Sequence, residues 1–302
     1  MNRYLYILFL LWIVTACSDD ITDIDTSLEE IRVEANIGVN ATMRAVGNTW
    51  NNADQIGVSG SGKGNVLYST TSSTTSATFT SISPIYYTSP ASYYDAYYPY
   101  QASPTTNTNA STEFSVTTGP TQNASENSRK AIDVMWAKTS STVSTGTNVV
   151  FNFTHQLAQL VITFDWSGTG FASAPASWDF TIGSVKQSAT VNITHSQYTT
   201  SWSAPSCTVT PSTSASDYTV TGWNSTSYTM IIPAQDLSSK PFKVKVNGIT
   251  YSGTLPASFN LTQGTTSTVT IKVNKTELEA TSSVSDWGNG TETNSTPINA
   301  TL

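Results

Sequence analysis

The chain has 302 residues, of which 38% are hydrophobic and only 11% are charged, and its formal net charge is −7. It contains 51 Thr and 43 Ser residues, and these side chains favour half-buried strands and turns respectively. The scarcity of charged helix-forming residues excludes a helical bundle or a coiled coil. Thirteen Lys and Arg against twenty Asp and Glu, without a basic cluster, argue against a nucleic-acid partner.

The first sixteen residues are predicted to be an export signal rather than part of the fold. A basic start containing Arg3 precedes an apolar run from Tyr4 to Val14, and Ala16 stands before Cys17. This order is typical of a signal peptide, and the run is shorter than the about 20 residues that span a bilayer. The Val-Thr-Ala-Cys ending resembles the lipobox of bacterial lipoproteins, which implies a lipidated, palmitate-bearing Cys17. In the alternative, a plain secretory signal, Cys17 is incidental.

Residues 17–27 are predicted to form an acidic tether. A serine and four aspartates follow Cys17, at Ser18, Asp19, Asp20, Asp23 and Asp25. Such a segment is solvated, and it resembles the signal that sends lipoproteins to the outer face of the outer membrane. We therefore expect a surface-exposed protein that is lipid-anchored in the cell outer membrane. Cys207 is the only other cysteine, which predicts a free thiol and no disulfide framework.

The first predicted strand covers residues 31–39, where apolar residues alternate with polar ones. Its apolar positions are Ile31, Val33, Ala35, Ile37 and Val39. Seven tyrosines crowd residues 86–100, and their density indicates either strand packing, the favoured interpretation, or a carbohydrate platform. The polar residues 101–128 are predicted to form a long loop.

Further strands follow to the end of the chain. Apolar residues alternate around residues 149–153, 160–166, 178–182, 189–193, 228–232 and 269–273. Asn247-Gly248 separates two alternating runs, as a type I′ hairpin turn requires, because both of its central residues have positive φ. Many short strands and no clear helix predict an all-β fold of antiparallel β-sandwiches. We divide it into an N-terminal domain, residues 28–145, and a C-terminal domain, residues 146–302.

No residue pattern in the chain points to catalysis, a metal or a cofactor. A hydrolytic triad needs a histidine near a nucleophile and an acid, and neither His155 nor His195 adjoins a Gly-x-Ser-x-Gly motif. His155 is expected to be a hydrogen-bonded core or edge residue, and His195 a strand-end or turn residue. Aspartates that would suit a glycosidase are present, but the sequence does not pair them. We therefore predict a protein that is not an enzyme, and rank a secreted hydrolase last.

Six short segments stand in a recognisable order along the chain. They are Thr49-Trp50 with residues 54–58, then residues 96–100, 133–137, 151–157 and 230–235, and finally residues 273–275 with Asp286-Trp287. Together they resemble the fimbrillin-like family, the type V pilins and their accessory subunits, which are surface lipoproteins. The resemblance extends from about residue 31 to residue 287. It implies a fold of two transthyretin-like antiparallel β-sandwich domains.

The resemblance also implies assembly by strand exchange. In the family's shaft pilins an Arg-specific protease removes the N-terminal strand, and a strand of another subunit fills the groove by β-augmentation. Here residues 31–39 would be the exchanged strand and processing would fall between Arg44 and Ala45, unless Arg44 is an ordinary loop arginine. The tail would be the donor strand, although Pro297 interrupts its ladder. Its alternating residues are Ile298, Ala300 and Leu302.

The leading functional prediction is a fimbrial (pilus) subunit lipoprotein that assembles through β-strand exchange and supports adhesion. Its expected partners are other fimbrial subunits, the outer membrane through the lipid anchor, and a host or microbial glycan or protein receptor. A processed subunit would reside in the fimbrium. The alternative is a monomeric surface lipoprotein that binds glycans through aromatic-rich sandwich edges or loops. A shaft, anchor or tip position stays open.

Overall fold

A computed structural model describes residues 28–38, 49–167, 171, 173–273, 277–286, 289–293 and 298–301. The lipidation site Cys17 and the processing site Arg44 and Ala45 lie outside these residues. So do the signal peptide, the acidic tether, Val39 of the predicted first strand and Leu302 of the predicted donor strand.

The described chain is built almost entirely from strands, with one 3₁₀ turn (Pro120–Ala124) and one short helix, α1 (Glu126–Lys130). In chain order the strands are β1 (Val33–Ile37), β2 (Gln55–Gly60), β3 (Lys63–Ser69), β4 (Ser76–Phe79), β5 (Tyr94–Tyr98), β6 (Thr106–Asn107), β7 (Ser111–Thr117), β8 (Met135–Lys138), β9 (Val149–His155), β10 (Ala158–Asp165), β11 (Trp178–Val185), β12 (Ser188–Thr194), β13 (Ser206–Pro211), β14 (Ser216–Trp223), β15 (Ser227–Ile232), β16 (Gln235–Asp236), β17 (Pro241–Val246), β18 (Ile249–Thr254), β19 (Asn260–Leu261), β20 (Thr265–Val273), β21 (Glu277–Asp286), β22 (Asn289–Thr293) and β23 (Ile298–Thr301).

The first sheet has seven strands in the order β3-β2-β5-β8-β9-β1-β4. β1 pairs with β9 in parallel and with β4 antiparallel, so that Val33 lies opposite both Val149 and Phe79. Alternate side chains of β1, β4 and β9 point into one apolar cluster that also contains Trp50 and Ile56. This alternation is the period-two pattern that predicted the first strand, and the structure confirms it for residues 33–37.

Two further sheets share the largest apolar cluster. One has the order β15-β10-β20-β21, with β22 and β23 both paired to β21, and the other has the order β14-β11-β17-β18. Leu160 and Ile271 from the first of these sheets meet Phe180 and Val244 from the second within that cluster, as in a β-sandwich. The predicted hairpin is confirmed, because β17 and β18 are joined by Asn247-Gly248 with φ of 50° and 81°.

A fourth sheet, β13-β12-β7-β6, combines strands from residues 106–117 with strands from residues 188–211. The prediction of a loop over residues 101–128 was therefore wrong. Thr112, Phe114 and Val116 alternate as buried residues within β7, but the surrounding Ser and Thr residues conceal the pattern. Seven consecutive residue pairs with β12 hold β7 in place, so the strand depends on a partner distant in sequence.

The all-β sandwich fold predicted from the sequence is confirmed. Two pairs of neighbouring strands, β1 with β9 and β10 with β20, run parallel within otherwise antiparallel sheets. The division into domains near residue 145 stays a prediction. Among the described residues, no helix has the length and apolar character needed to cross a membrane.

Candidate functional site

The strand predicted to be exchanged lies in the interior of the first sheet. Both edges of β1 carry backbone ladders, to β9 on one side and to β4 on the other. Ile31, Val33, Ala35 and Ile37 are each at most 5% exposed. Residues on an interior strand contribute to stability through both ladders and through the packing of one face. We call the space that β1 occupies between β9 and β4 the β1 slot.

Trp50 closes the base of the β1 slot. Its indole N–H donates to the Ala35 carbonyl oxygen, with Nε1 2.9 Å from that oxygen. The indole lies edge-on to Phe79, Phe153 and Tyr98, with ring centroids 5.0, 5.3 and 5.6 Å apart, a geometry that aromatic pairs favour. Sequence reasoning noted Trp50 only as part of a family-like motif. Its contact with β1 depends on a fold that brings residues 35 and 50 together.

The outer face of β1 is held by a few exposed polar contacts. The Asn148 amide donates to Glu34 Oε1 over 2.6 Å, and the Asn36 amide donates to Asn152 Oδ1 over 3.1 Å. Arg32 pairs with Glu29 at 2.7 Å, with the Arg32 side chain 63% exposed. Exposed pairs of this kind contribute little to stability. The buried face therefore dominates the energy that keeps β1 in place.

A surface cavity of about 560 Å³ opens at the start of β1. It is lined by residues 29–34, by residues 78–81 and by Tyr68, Pro84 and Asn148. Beside it, residues 29–31 pair with residues 85–87, since Ile31 N–H donates to the Ile85 carbonyl and Tyr87 N–H donates to the Glu29 carbonyl. Residues 29–31 are thus bonded on one side and open to solvent on the other.

The predicted donor residues lie in a different sheet from the β1 slot. β23, which contains Ile298 and Ala300, pairs antiparallel with β21 of its own chain. Its register places Ile298 opposite Ala280 and Ala300 opposite Leu278. The structure therefore does not bring the predicted donor strand and the predicted exchanged strand together within one chain.

Four of the seven tyrosines in residues 86–100 serve packing, in agreement with the favoured interpretation. Tyr87, Tyr94, Tyr97 and Tyr98 are buried, and burial raises the pKa values of the Tyr94, Tyr97 and Tyr98 hydroxyls. Tyr97 stacks on Phe114 with ring centroids 5.3 Å apart and so joins the first sheet to β7. These buried rings cannot form an exposed carbohydrate platform.

Both histidines are buried beside an aspartate. His155 Nδ1 lies 2.8 Å from Asp133 Oδ1, and His195 Nδ1 lies 3.0 Å from Asp95 Oδ2. The prediction that His155 is a hydrogen-bonded core residue is confirmed. The prediction that His195 ends a strand is also confirmed, because it follows β12 directly. Burial raises the pKa of Asp95, and the hydrogen bond from His195 opposes that rise.

Ser59 completes an arrangement around His195 that resembles a hydrolytic triad. Ser59 Oγ lies 3.4 Å from His195 Nε2, while Thr112 Oγ1 lies closer to the same nitrogen, at 2.9 Å. Ser59, Asp95 and Thr112 are 0% exposed and His195 is 1% exposed. A nucleophile must reach its substrate, so this cluster fits a structural link between β2, β5, β7 and the end of β12.

No other reactive group is assembled in the part of the chain that the structure describes. Cys207 carries a free thiol whose pKa burial raises to about 12, which makes it a poor nucleophile. Among the described residues, no group of three or more His, Cys, Asp or Glu side chains is placed to hold a metal ion.

The family model described as fimbrillin-like matches residues 43–287 of the chain. β1 and β23 lie outside that match. A comparison with curated protein sequences gave no match. Similar folds occur in crystal structures of two candidate cell adhesion proteins. The one from Bacteroides uniformis has a TM-score of 0.64 at 21% identity, covering 85% of this chain and 98% of that one.

The second structure, from Bacteroides ovatus, has a TM-score of 0.61 at 17% identity and covers 86% of this chain and 98% of that one. Identities this low show a shared fold and leave function to the site. The family match, in contrast, spans most of the sequence and includes all six segments noted above. The chain therefore belongs to the fimbrillin-like family.

Proposed function

We propose that this protein is a fimbrial subunit lipoprotein that assembles by strand exchange, with β1 leaving its slot and a strand of another subunit entering it. Family membership supports a fimbrial and adhesive role at the cell surface rather than an enzymatic one. The observation that carries the proposal is the position of β1, a short strand with a buried apolar face between two neighbours. Its departure would open a slot that only another strand can fill.

The stability that would be lost with β1 is large for so short a segment. Ile31, Val33 and Ile37 are buried, and uncovering a large apolar side chain costs about 1.5–3 kcal/mol. Their loss together costs roughly 4.5–9 kcal/mol, comparable to the stability of a whole domain. β9 and β4 would also present unpaired backbone groups along the slot. A chain without β1 would therefore need a replacement strand.

The tail of the chain carries the pattern that the slot requires. β1 reads Val-Glu-Ala-Asn-Ile over residues 33–37, and residues 298–302 read Ile-Asn-Ala-Thr-Leu. Both are apolar, polar, Ala, polar, apolar, so the tail of a second copy would place Ala300 where Ala35 lies beside Trp50. This agreement supports the tail as donor strand. It would have to leave β21 of its own chain first.

Processing would convert β1 from a tethered into a replaceable strand. Arg44 and Ala45 lie in sequence between β1 and Trp50, so a cut there separates β1 covalently from the rest of the fold. β1 would then be held by contacts alone. Cys17 would carry the lipid that anchors the uncut subunit in the outer membrane, upstream of the cut.

The test is digestion of the full chain with a trypsin-like protease, followed by N-terminal mass spectrometry and denaturing gels run without boiling. We expect wild type to yield a fragment that begins at Ala45 and runs as a ladder. Arg44→Ala should remain monomeric. Arg32→Ala is the matched control, because Arg32 is an exposed arginine upstream of β1, and it should assemble like wild type. An equal ladder from Arg44→Ala would refute processing at this site.

A further inference from the structure

The exposed Tyr198 and the half-buried Trp202 form a corner in the loop after β12. Tyr198 and Trp202 face each other across an isolated β-bridge, with ring centroids 5.2 Å apart and planes tilted by 56°. Tyr198 is 50% exposed, whereas the tyrosines of the 86–100 run that fill the core are nearly inaccessible. We call Tyr198 and Trp202 the aromatic corner.

The aromatic corner is held in shape by hydrogen bonds at its base. The Trp202 indole N–H donates to the Pro90 carbonyl oxygen over 3.2 Å. Gln197 and Ser203 bond reciprocally, since Ser203 N–H donates to the Gln197 carbonyl and Gln197 N–H donates to Ser203 Oγ, each over 2.9 Å. The Ser196 hydroxyl also donates to the Ser203 carbonyl over 2.7 Å. A ligand would therefore meet rings that are already positioned, which lowers the entropy cost of binding.

The loops around the corner are polar and carry no charged side chain, and one ammonium group lies at its base. Three neighbouring loops, residues 88–92, 107–110 and 196–206, contain no Asp, Glu, Lys or Arg. The Gln197 amide donates to the Asn109 carbonyl over 2.8 Å and so joins two of these loops. Thr199, Thr200 and Ser201, between the two rings, are exposed hydroxyl residues. At the base, the Lys138 ammonium lies 3.3 Å from the Pro205 carbonyl oxygen, to which it donates.

Two aromatic rings among polar loops without charged residues indicate which class of ligand the corner can bind. An exposed ring attracts a flat apolar surface, and the hydroxyls around it offer hydrogen bonds to a polar rim. A neutral pyranose has both features, because its C–H groups form an apolar face and its hydroxyls lie around the edge. These loops offer no cation to pair with an anionic ligand and no carboxylate to pair with a basic peptide.

We propose that the aromatic corner binds a neutral pyranose unit of a host or microbial glycan. The site adds a ligand to the adhesive role proposed above, but it does not depend on strand exchange. Tyr198 would stack on the apolar face of the sugar, and Trp202 would form the second wall of the corner.

The test is affinity electrophoresis of the full, uncut chain in gels that contain one neutral polysaccharide each: mannan, xylan, galactan, laminarin or hydroxyethyl cellulose. Polygalacturonate serves as the charged comparison. We expect at least one neutral polysaccharide to retard the wild type, with at least tenfold weaker affinity for Tyr198→Ala and Trp202→Ala. Ile249→Ala is the control, because Ile249 is an exposed apolar residue, at 57% exposure, on β18 of a different sheet from the strands that flank the corner, and it should bind like wild type.

Thermal unfolding of each variant checks that the fold is intact, and Tyr198→Ala keeps the test decisive if Trp202→Ala does not fold. Absence of retardation in every neutral gel, unchanged affinity in Tyr198→Ala, or tighter binding to polygalacturonate would each overturn the proposal. Tyr198→Ala should still form ladders after protease treatment. A failure of glycan binding is thereby separated from a failure of strand exchange.

Discussion

β1 and β23 carry the same sequence pattern and occupy opposite kinds of position. Both alternate apolar and polar residues around a central Ala, yet β1 lies between two neighbours in the first sheet, whereas β23 pairs with β21 alone among the described strands. Under the proposed exchange, the shared pattern would let either strand fill the β1 slot, whereas the number of paired neighbours determines how firmly each strand is held in its own position. In a strand-exchanging subunit the two properties must be separate, since the donor must be easy to release and well matched to its acceptor.

The largest expected effect comes from deleting the segment that contains β1. A chain that begins at Thr49 should lose roughly 4.5–9 kcal/mol of stability and form oligomers or aggregates instead of a monomer. Size-exclusion chromatography with light scattering and thermal melting would measure both effects. Deletion of residues 298–302 is the matched control and should leave a folded monomer, because β23 forms a single backbone ladder, to β21, among the described strands. A stable monomer from the chain without β1 would contradict the proposed role of the slot.

A smaller loss is expected from enlarging the central residue of β1. Ala35 is fully buried in the cluster that contains Trp50 and Phe79, so Ala35→Leu should cost about 1–3 kcal/mol by overpacking. Thr78→Leu is the comparison variant, since Thr78 is exposed on the neighbouring strand β4 and its replacement should change stability by about 0.5 kcal/mol or less. Chemical denaturation of both variants measures the difference. Equal losses of stability in the two variants would mean that the β1 slot is not tightly packed around Ala35.

The smallest effect on stability is expected at the corresponding residue of the tail. Ala300→Leu should lower the free energy of unfolding of the uncut chain by less than Ala35→Leu does, because β23 forms one described backbone ladder whereas β1 forms two. In the protease-treated chain it should prevent ladder formation, because the slot has room only for Ala beside Trp50. Asn299→Ser, a polar replacement at the adjacent position, should leave the ladder intact. Full-length ladders from Ala300→Leu would show that the tail is not the donor.

Local pattern and turn chemistry made much of the fold predictable. The alternation in residues 33–37 and the Asn247-Gly248 turn each require only neighbouring residues, and both predictions are confirmed. β7 was missed because its strand character depends on pairing with β12, which comes about 75 residues later. The alternation of Thr112, Phe114 and Val116 stands among many Ser and Thr residues, so by itself it is too weak to predict a strand.

The hydrogen bonds between buried polar side chains could not be predicted from the sequence. Asp95 and His195 are 100 positions apart, and no spacing rule joins residues from β5 and the end of β12. The same limit applies to the aromatic corner, because the hydrogen bond from Trp202 to Pro90 joins residues that are 112 positions apart. The β1 slot was recognised only in part, since the alternation identified the strand whereas its two neighbours and Trp50 required the tertiary structure.

The pairing of β1 with β9 also has a consequence for the order of folding. Asn36 and Asn152, which lie opposite each other, are 116 positions apart, and such distant contacts form slowly because a long loop must close first. During synthesis and export β1 emerges well before β9 and stays without that neighbour until residue 155 has followed. The edge of β1 that later pairs with β9 is open to pairing with other chains in this interval. Within the first sheet, the strand made first is thus among the last to gain both of its neighbours.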